Sequence, residues 1–202
     1  MSNFDDILGF WFGTLDKDGM ADHWHRQRWF SGGDDLDEEI RQLFATDLTH
    51  AKAGDYDDWP QTPAGRLALI VLLDQFSRNI FRGQAEAFAA DPLAQALVEE
   101  GLSRGHQHSL PLAHQLFFYM PLMHAEDKAL QALSVTAFAS LHRQAPENLK
   151  PVLAQSLHFA QEHQVIIQRF GRFPYRNRLL GRPNSTEENT WLAKNPGGFG
   201  QG

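Results

Sequence analysis

A chain of 202 residues with 42% hydrophobic and 21% charged side chains suits one domain that buries its own core without staples, and its lack of cysteine excludes disulfide scaffolds, thiolate zinc sites, cysteine nucleophiles and cysteine-ligated iron–sulfur clusters. The formal charge of -7 is uneven: residues 1–58 hold 14 acids against 5 Lys or Arg, whereas the remainder holds 11 against 13. That acidic first section argues against a broad nucleic-acid surface but leaves room for a local basic groove.

Asp5 and Asp6 stand where a secretory signal needs a basic region before a continuous apolar run. The strongest apolar runs, "LALIVLL" and "LFFYMPLM", are far too short to span a bilayer. A cytoplasmic setting without membrane insertion is therefore expected.

Phe4, Ile7, Leu8 and Trp11 recur at helix spacing behind a possible N-cap at Ser2 or Asn3, and Gly13 predicts the end of that helix. "DHWHRQRWF" continues with Trp24 and Phe30 flanking a polar set. After the glycines of "SGGDD", a helix is predicted with Leu36, Ile40, Leu43, Phe44 and Leu48 along one side, ending at Gly54. Thr62 and Pro63 are poised as N-cap and first residue of the next helix, "AGRLALIVLLDQF", where length and cap favour helix over strand.

A further helix is expected from Asp91 to about Gly105, and Pro121 is expected to divide "LPLAHQLFFYM" from "LMHAEDKALQALSVTAFASLHR". The last long pattern runs from about Pro151 to Phe170, with Gly171 and Pro174 interrupting the backbone beyond it. "NSTEE" reads as the cap and first turn of a short final helix before a flexible tail from about 195. Successive helices with little period-two alternation predict an all-α fold, a single helical domain over 1–202.

Thirteen of the 18 basic residues are arginines, and seven of them lie in 78–82 and 169–182. The second segment, "RFGRFPYRNRLLGR", carries five arginines and no acid. It echoes "FSRNIFRG" in having an aromatic, then Arg-Asn, then Gly and Arg, which nominates equivalent chemical roles. Asp74, Arg78 and Arg82 share a helix side if the phase continues, with Gln75 and Asn79 beside them. They form either a network that ties a helix end to the domain or a ligand site. Arg169, Arg172, Arg176, Arg178 and Arg182 need acids, solvent or an anionic ligand, since an unpaired buried guanidinium costs several kcal/mol. An anion site, a structural ion-pair network and a protein or nucleic-acid surface all fit.

His124, Glu126, Asp127 and Gln131 form a third group, read either as helix capping and packing or as a His–acid pair that moves protons. No two-His zinc signature is present; Glu162 and His163 could meet His124 and Glu126 in space, but spacing alone does not bring them together. Ser77 and Ser134 lack a nucleophile-elbow context, and no phosphate-loop or dinucleotide motif occurs, so no cofactor or metal is implied. Trp11, Trp24, Trp29 and Phe44 read as core, and so do Phe117, Phe118 and Tyr119, one of which could wall a pocket.

"VLLDQFSRNIFRG", "FFYMPLMHAED" and "RFGRFPYRNRLLGRPNSTEE", together with "ILGFWFG" near the start, resemble the signature blocks of the bacterial family called domain of unknown function 924. The resemblance covers nearly the whole chain. It implies an all-α fold related to tetratricopeptide-repeat-like superhelices, or an array of antiparallel helices, and it implies no established reaction. The matched positions are Asp74, Gln75, Arg78, Asn79 and Arg82; His124, Glu126 and Asp127; and Arg169, Arg172, Arg176, Asn177 and Arg182. Binding of an anionic small molecule or anionic peptide group is the expected function. A helical peptide-binding scaffold and an acid–base enzyme with His124 as proton carrier are the alternatives.

Overall fold

A computed structural model describes residues 2–31 and 33–195, and all the regular structure among them is helical. Helix α1 (Phe4–Phe12) starts at Asn3, whose side chain accepts the Asp6 N–H at 3.0 Å while the Asp6 carboxylate accepts the Asn3 N–H at 2.9 Å. After α2 (His23–Ser31), α3 (Asp34–Ala53) buries Leu36, Ile40, Phe44 and Leu48 as expected. Leu43 lies on the flank of that stripe and is 52% exposed.

Thr62 caps α4 (Pro63–Ile70) by accepting the Gly65 N–H at 3.1 Å. The helix continues through a wide π turn, Val71–Phe76, into the short α5 (Ser77–Ile80). There follow α6 (Asp91–Ser103), α7 (Leu112–Met123), α8 (Lys128–Gln144), α9 (Lys150–Phe170) and α10 (Thr186–Lys194). Pro121 sits inside α7 and does not divide two helices. Its missing N–H falls in the last turn, so the helix survives two residues more, and the His124 N–H still reaches the Met120 carbonyl at 3.1 Å. The tail expected from about 195 lies almost wholly outside the described residues.

The chain is an all-α, single helical domain in a helical-repeat-like arrangement: α7, α8 and α9 pack in succession, while α1 packs on α4 and α3 covers the π turn and α5. Aromatic rings join these layers. Phe76 of the π turn lies 5.4 Å from Trp11 and 4.9 Å from Phe44, and Phe117 of α7 lies 5.6 Å from Trp11 and 4.7 Å from Trp29. Each such pair adds about 0.5–1.5 kcal/mol beyond area burial.

Phe117, Phe118 and Tyr119 are all buried, which settles them in the core. Trp24 departs from expectation: it is 57% exposed and carries the Arg28 guanidinium on its ring at 4.2 Å. Gly101 is fixed by close approach, because a Cβ there would come within 2.7 Å of both Arg66 Cδ and Phe118 Cζ.

Candidate functional site

The π turn does local work at Asp74. Within it the Ser77 N–H closes on the Leu72 carbonyl, one residue further back than in an α-helix, at the turn that carries Asp74. Asp74 is fully buried, which is tolerable only with donors around it. Arg78 Nη1 stands 2.9 Å from Oδ1, Gln75 Nε2 donates to Oδ2 at 2.5 Å, and His124 Nδ1 lies 2.8 Å from Oδ1. Burial alone would raise the Asp74 pKa; the charge of Arg78 and the hydrogen bonds from His124 and Gln75 outweigh it and hold the carboxyl well below its usual range.

An ionised Asp74 can only accept, so the Nδ1 of His124 carries the proton. The other ring nitrogen, Nε2, then presents a lone pair and has no hydrogen-bond partner among the described residues. His124 follows the last residue of α7, and its side chain keeps 16% of its surface exposed. Burial pushes its pKa down against the pull of Asp74, so the ring is neutral at pH 7.

Asp91, in the first turn of α6, joins the two echoed arginine segments. Arg78 Nη2 donates to its Oδ2 at 3.1 Å, and Arg176 Nη1 donates to the same oxygen at 3.2 Å. Its Oδ1 lies 3.0 Å from Arg78 Nη1 but off hydrogen-bond geometry, and it has no hydrogen-bond partner. Arg176 also donates from Nη2 to the His124 carbonyl at 3.1 Å, and its guanidinium lies 4.5 Å from the ring centres of both Phe88 and Phe173. One arginine thus holds the start of α6, the end of α7 and two aromatic rings.

Gly171 ends α9 with φ +71, a left-handed turn suited to glycine, and aims 172–184 back toward this centre. There Glu126 binds Arg182 through two bonds of 2.6 and 2.8 Å and accepts the Phe173 N–H at 2.8 Å. Burial opposes its ionised form, but Arg182 and that N–H hold its pKa below normal. Arg182 Nε also donates to Asn177 Oδ1 at 2.9 Å, and Asn177 donates to Asn184 at 2.8 Å. Asp127 caps α8, accepting the Ala129 and Leu130 N–H groups at 2.8 and 2.9 Å, and does not pair with His124.

His124, Glu126 and Asp127 line one open cleft of about 560 Å³ together with Phe88, Asp91 and Arg176. Asp74, Gln75 and Arg78 stand behind it, and Asn177 and Arg182 buttress Glu126. The remaining expected positions are not brought there. Asn79 donates to Asp37 of α3 at 2.8 Å and Arg82 grips the same carboxylate, because the helix ends at Ile80 and Arg82 leaves its phase. Arg169 and Arg172 hold α10 through Glu187 and Glu188, each at 2.7 Å.

Asp91 and Phe88 escaped notice in the sequence, where Asp91 reads only as a helix start. The signal was a count: Asp74 is the one acid in 74–82 beside Arg78 and Arg82, and 169–182 holds none, so a distant acid is needed. His163 does approach His124, with ring centres 6.2 Å apart, whereas among the described residues no group of three or more His, Asp or Glu is placed to hold a metal ion.

His163 is 5% exposed, its Nδ1 donates to the Phe159 carbonyl at 2.8 Å, and burial pushes its pKa down to about 3. The unfolded chain takes up this proton near the ordinary 6.5 and the folded chain does not. Its contribution is therefore full above about 6.5 and declines as pH falls toward 3. Urea denaturation is expected to show stability falling by about 1.4 kcal/mol per pH unit from this residue between pH 6 and 4, a component that His163→Gln removes.

No curated protein matches this chain. A solved structure of a protein of unknown function from Agrobacterium tumefaciens is 34% identical, covering 95% of this chain and 97% of that one with a TM-score of 0.78. The family described as bacterial protein of unknown function (DUF924) matches residues 7–197, from the first core helix to beyond the last one. With both matches running through the arginine segments and the His-acid segment, the chain belongs to the DUF924 family.

Proposed function

We propose that the cleft is a small-molecule site in which His124 moves a proton, making the protein an acid–base enzyme. The observation that carries this is the Asp74–His124 pair: a buried, ionised carboxylate fixes Nδ1–H at 2.8 Å and leaves Nε2 unbonded on a ring that lines the cleft. A purely structural histidine needs no such tautomer control in an open site. Among the residues lining the cleft, anion recognition rests on Arg176 alone, because Arg78 and Arg182 are committed to carboxylates and do not line it. A cytoplasmic setting belongs to this proposal; among the described residues no helix is long and apolar enough to cross a membrane.

The peptide-binding scaffold has one observation of its own, an apolar groove of about 430 Å³ lined by Leu69, Leu73, Leu93 and Leu97. That reading makes His124 dispensable. Incubation with a small-metabolite extract, followed by mass spectrometry, is expected to reveal a consumed compound. Its consumption should fall at least about 100-fold in His124→Gln with the helical circular-dichroism spectrum retained. Consumption unchanged in His124→Gln, or none by the wild type, overturns the acid–base reading.

A further inference from the structure

The charge lining the cleft speaks to the class of molecule it takes. Four carboxylates, Glu86, Asp91, Glu126 and Asp127, face one guanidinium, Arg176. Arg176 is poorly placed for an anion: it is 4% exposed, Nη1 bonds Asp91, Nη2 bonds the His124 carbonyl, the guanidinium lies against Phe88 and Phe173, and Nε is buried. Asp91 and Glu126 are neutralised by the arginines already described. Glu86 and Asp127 are not; both are exposed, and neither has a cationic partner among the described residues.

Asp127 commits Oδ1 to the α8 cap, which leaves Oδ2 open. Apart from Gln95, His124 and the charged groups, the lining is apolar, with Ala85, Phe88, Ala89, Pro92 and Leu180. An anion placed there would be repelled by Glu86 and Asp127 and would find no uncommitted guanidinium. An ammonium group meets two open carboxylates, and its carbon skeleton meets the apolar wall.

We propose that the cleft selects a small cationic amine with a compact apolar body, seated with its ammonium toward Glu86 and Asp127 and its skeleton against Phe88, beside His124. This rests on reading the cleft as a small-molecule site and names the class of its substrate. It reverses the anionic ligand expected from the arginine count. Arg78, Arg82, Arg172, Arg176 and Arg182 pair with buried or half-buried acids, and Glu86 and Asp127 are left over at the cleft.

Three probes of nearly equal size and different charge test this: benzylamine, benzyl alcohol and benzoate, titrated into the full chain while the His124 Cε1–H signal is followed by NMR. Benzylamine is expected to bind at least about tenfold more tightly than benzyl alcohol, with benzoate weakest. The preference should shrink as ionic strength rises, because both carboxylates are exposed. Glu86→Gln with Asp127→Asn should abolish the preference while Asn still caps α8. Benzoate binding as well as benzylamine, equal affinities for all three, or no perturbation by any of them at millimolar concentration overturns the proposal. The protonation state of His124 is read separately from its ring nitrogens, so either reading can fail while the other stands.

Discussion

Asp91→Ala is expected to be among the most destabilising single changes in the protein, removing about 3–5 kcal/mol of unfolding free energy. The carboxylate is 7% exposed and is shared by Arg78 and Arg176, which are 6% and 4% exposed. Without it two buried guanidinium groups lose their common counter-charge, and only Asp74 remains beside Arg78. Arg176→Ala should cost a similar amount for the converse reason: it strips Asp91 of one partner, frees the His124 carbonyl and opens the space between Phe88 and Phe173. Arg169→Ala is the internal control. Its pair with Glu187 is 49% and 59% exposed, in the range where ion pairs contribute about 0–1 kcal/mol. Urea denaturation of the three variants at pH 7 decides this, and a loss below about 1 kcal/mol for Asp91→Ala would contradict its role as the hub.

Asp74→Asn is expected to have the largest effect on any turnover the cleft supports, about 10³–10⁴-fold, comparable to the loss when an orienting Asp behind a catalytic His is replaced by Asn. The substitution keeps the shape and removes two things. An amide can offer its NH₂ to Nδ1, which drives the proton to Nε2 and leaves no lone pair facing the cleft. It also takes away the negative charge that raises the His124 pKa against burial, so an imidazolium intermediate is less well stabilised. A structural role alone predicts a stability loss with turnover retained in the folded fraction, so turnover and unfolding should be measured on the same preparation.

Much of the helix punctuation was legible in the sequence because capping is local chemistry. Asn3, Thr62 and Ser185 each cap the helix they precede, and Gly54 and Gly171 end theirs in left-handed backbone. The Asp74–Arg78 pair followed from helical spacing for the same reason. What could not be read was long-range. That Arg78 and Arg176 converge on Asp91, and that Asp37 rather than a ligand receives Asn79 and Arg82, depends on how α3, α6 and the 172–184 segment are brought together.

The partners of the arginines were equally out of reach of a local count. An arginine-rich segment without acids suggests an anion site when only its neighbours in sequence are counted. In space its partners are Asp91 of α6, Glu126 of the α7–α8 connection, and Glu187 and Glu188 of α10. His124 showed the same limit, pairing with Asp74, fifty positions earlier, where spacing offered Asp127.

The central claim concerns one imidazole, and nitrogen NMR of histidine-labelled protein tests it most directly. At pH 7 the account predicts a protonated Nδ1 and an unprotonated Nε2 for His124, with a titration midpoint below the ordinary 6.5, and loss of that tautomer in Asp74→Asn. A proton on Nε2 in the wild type, or a midpoint above 6.5, would contradict it.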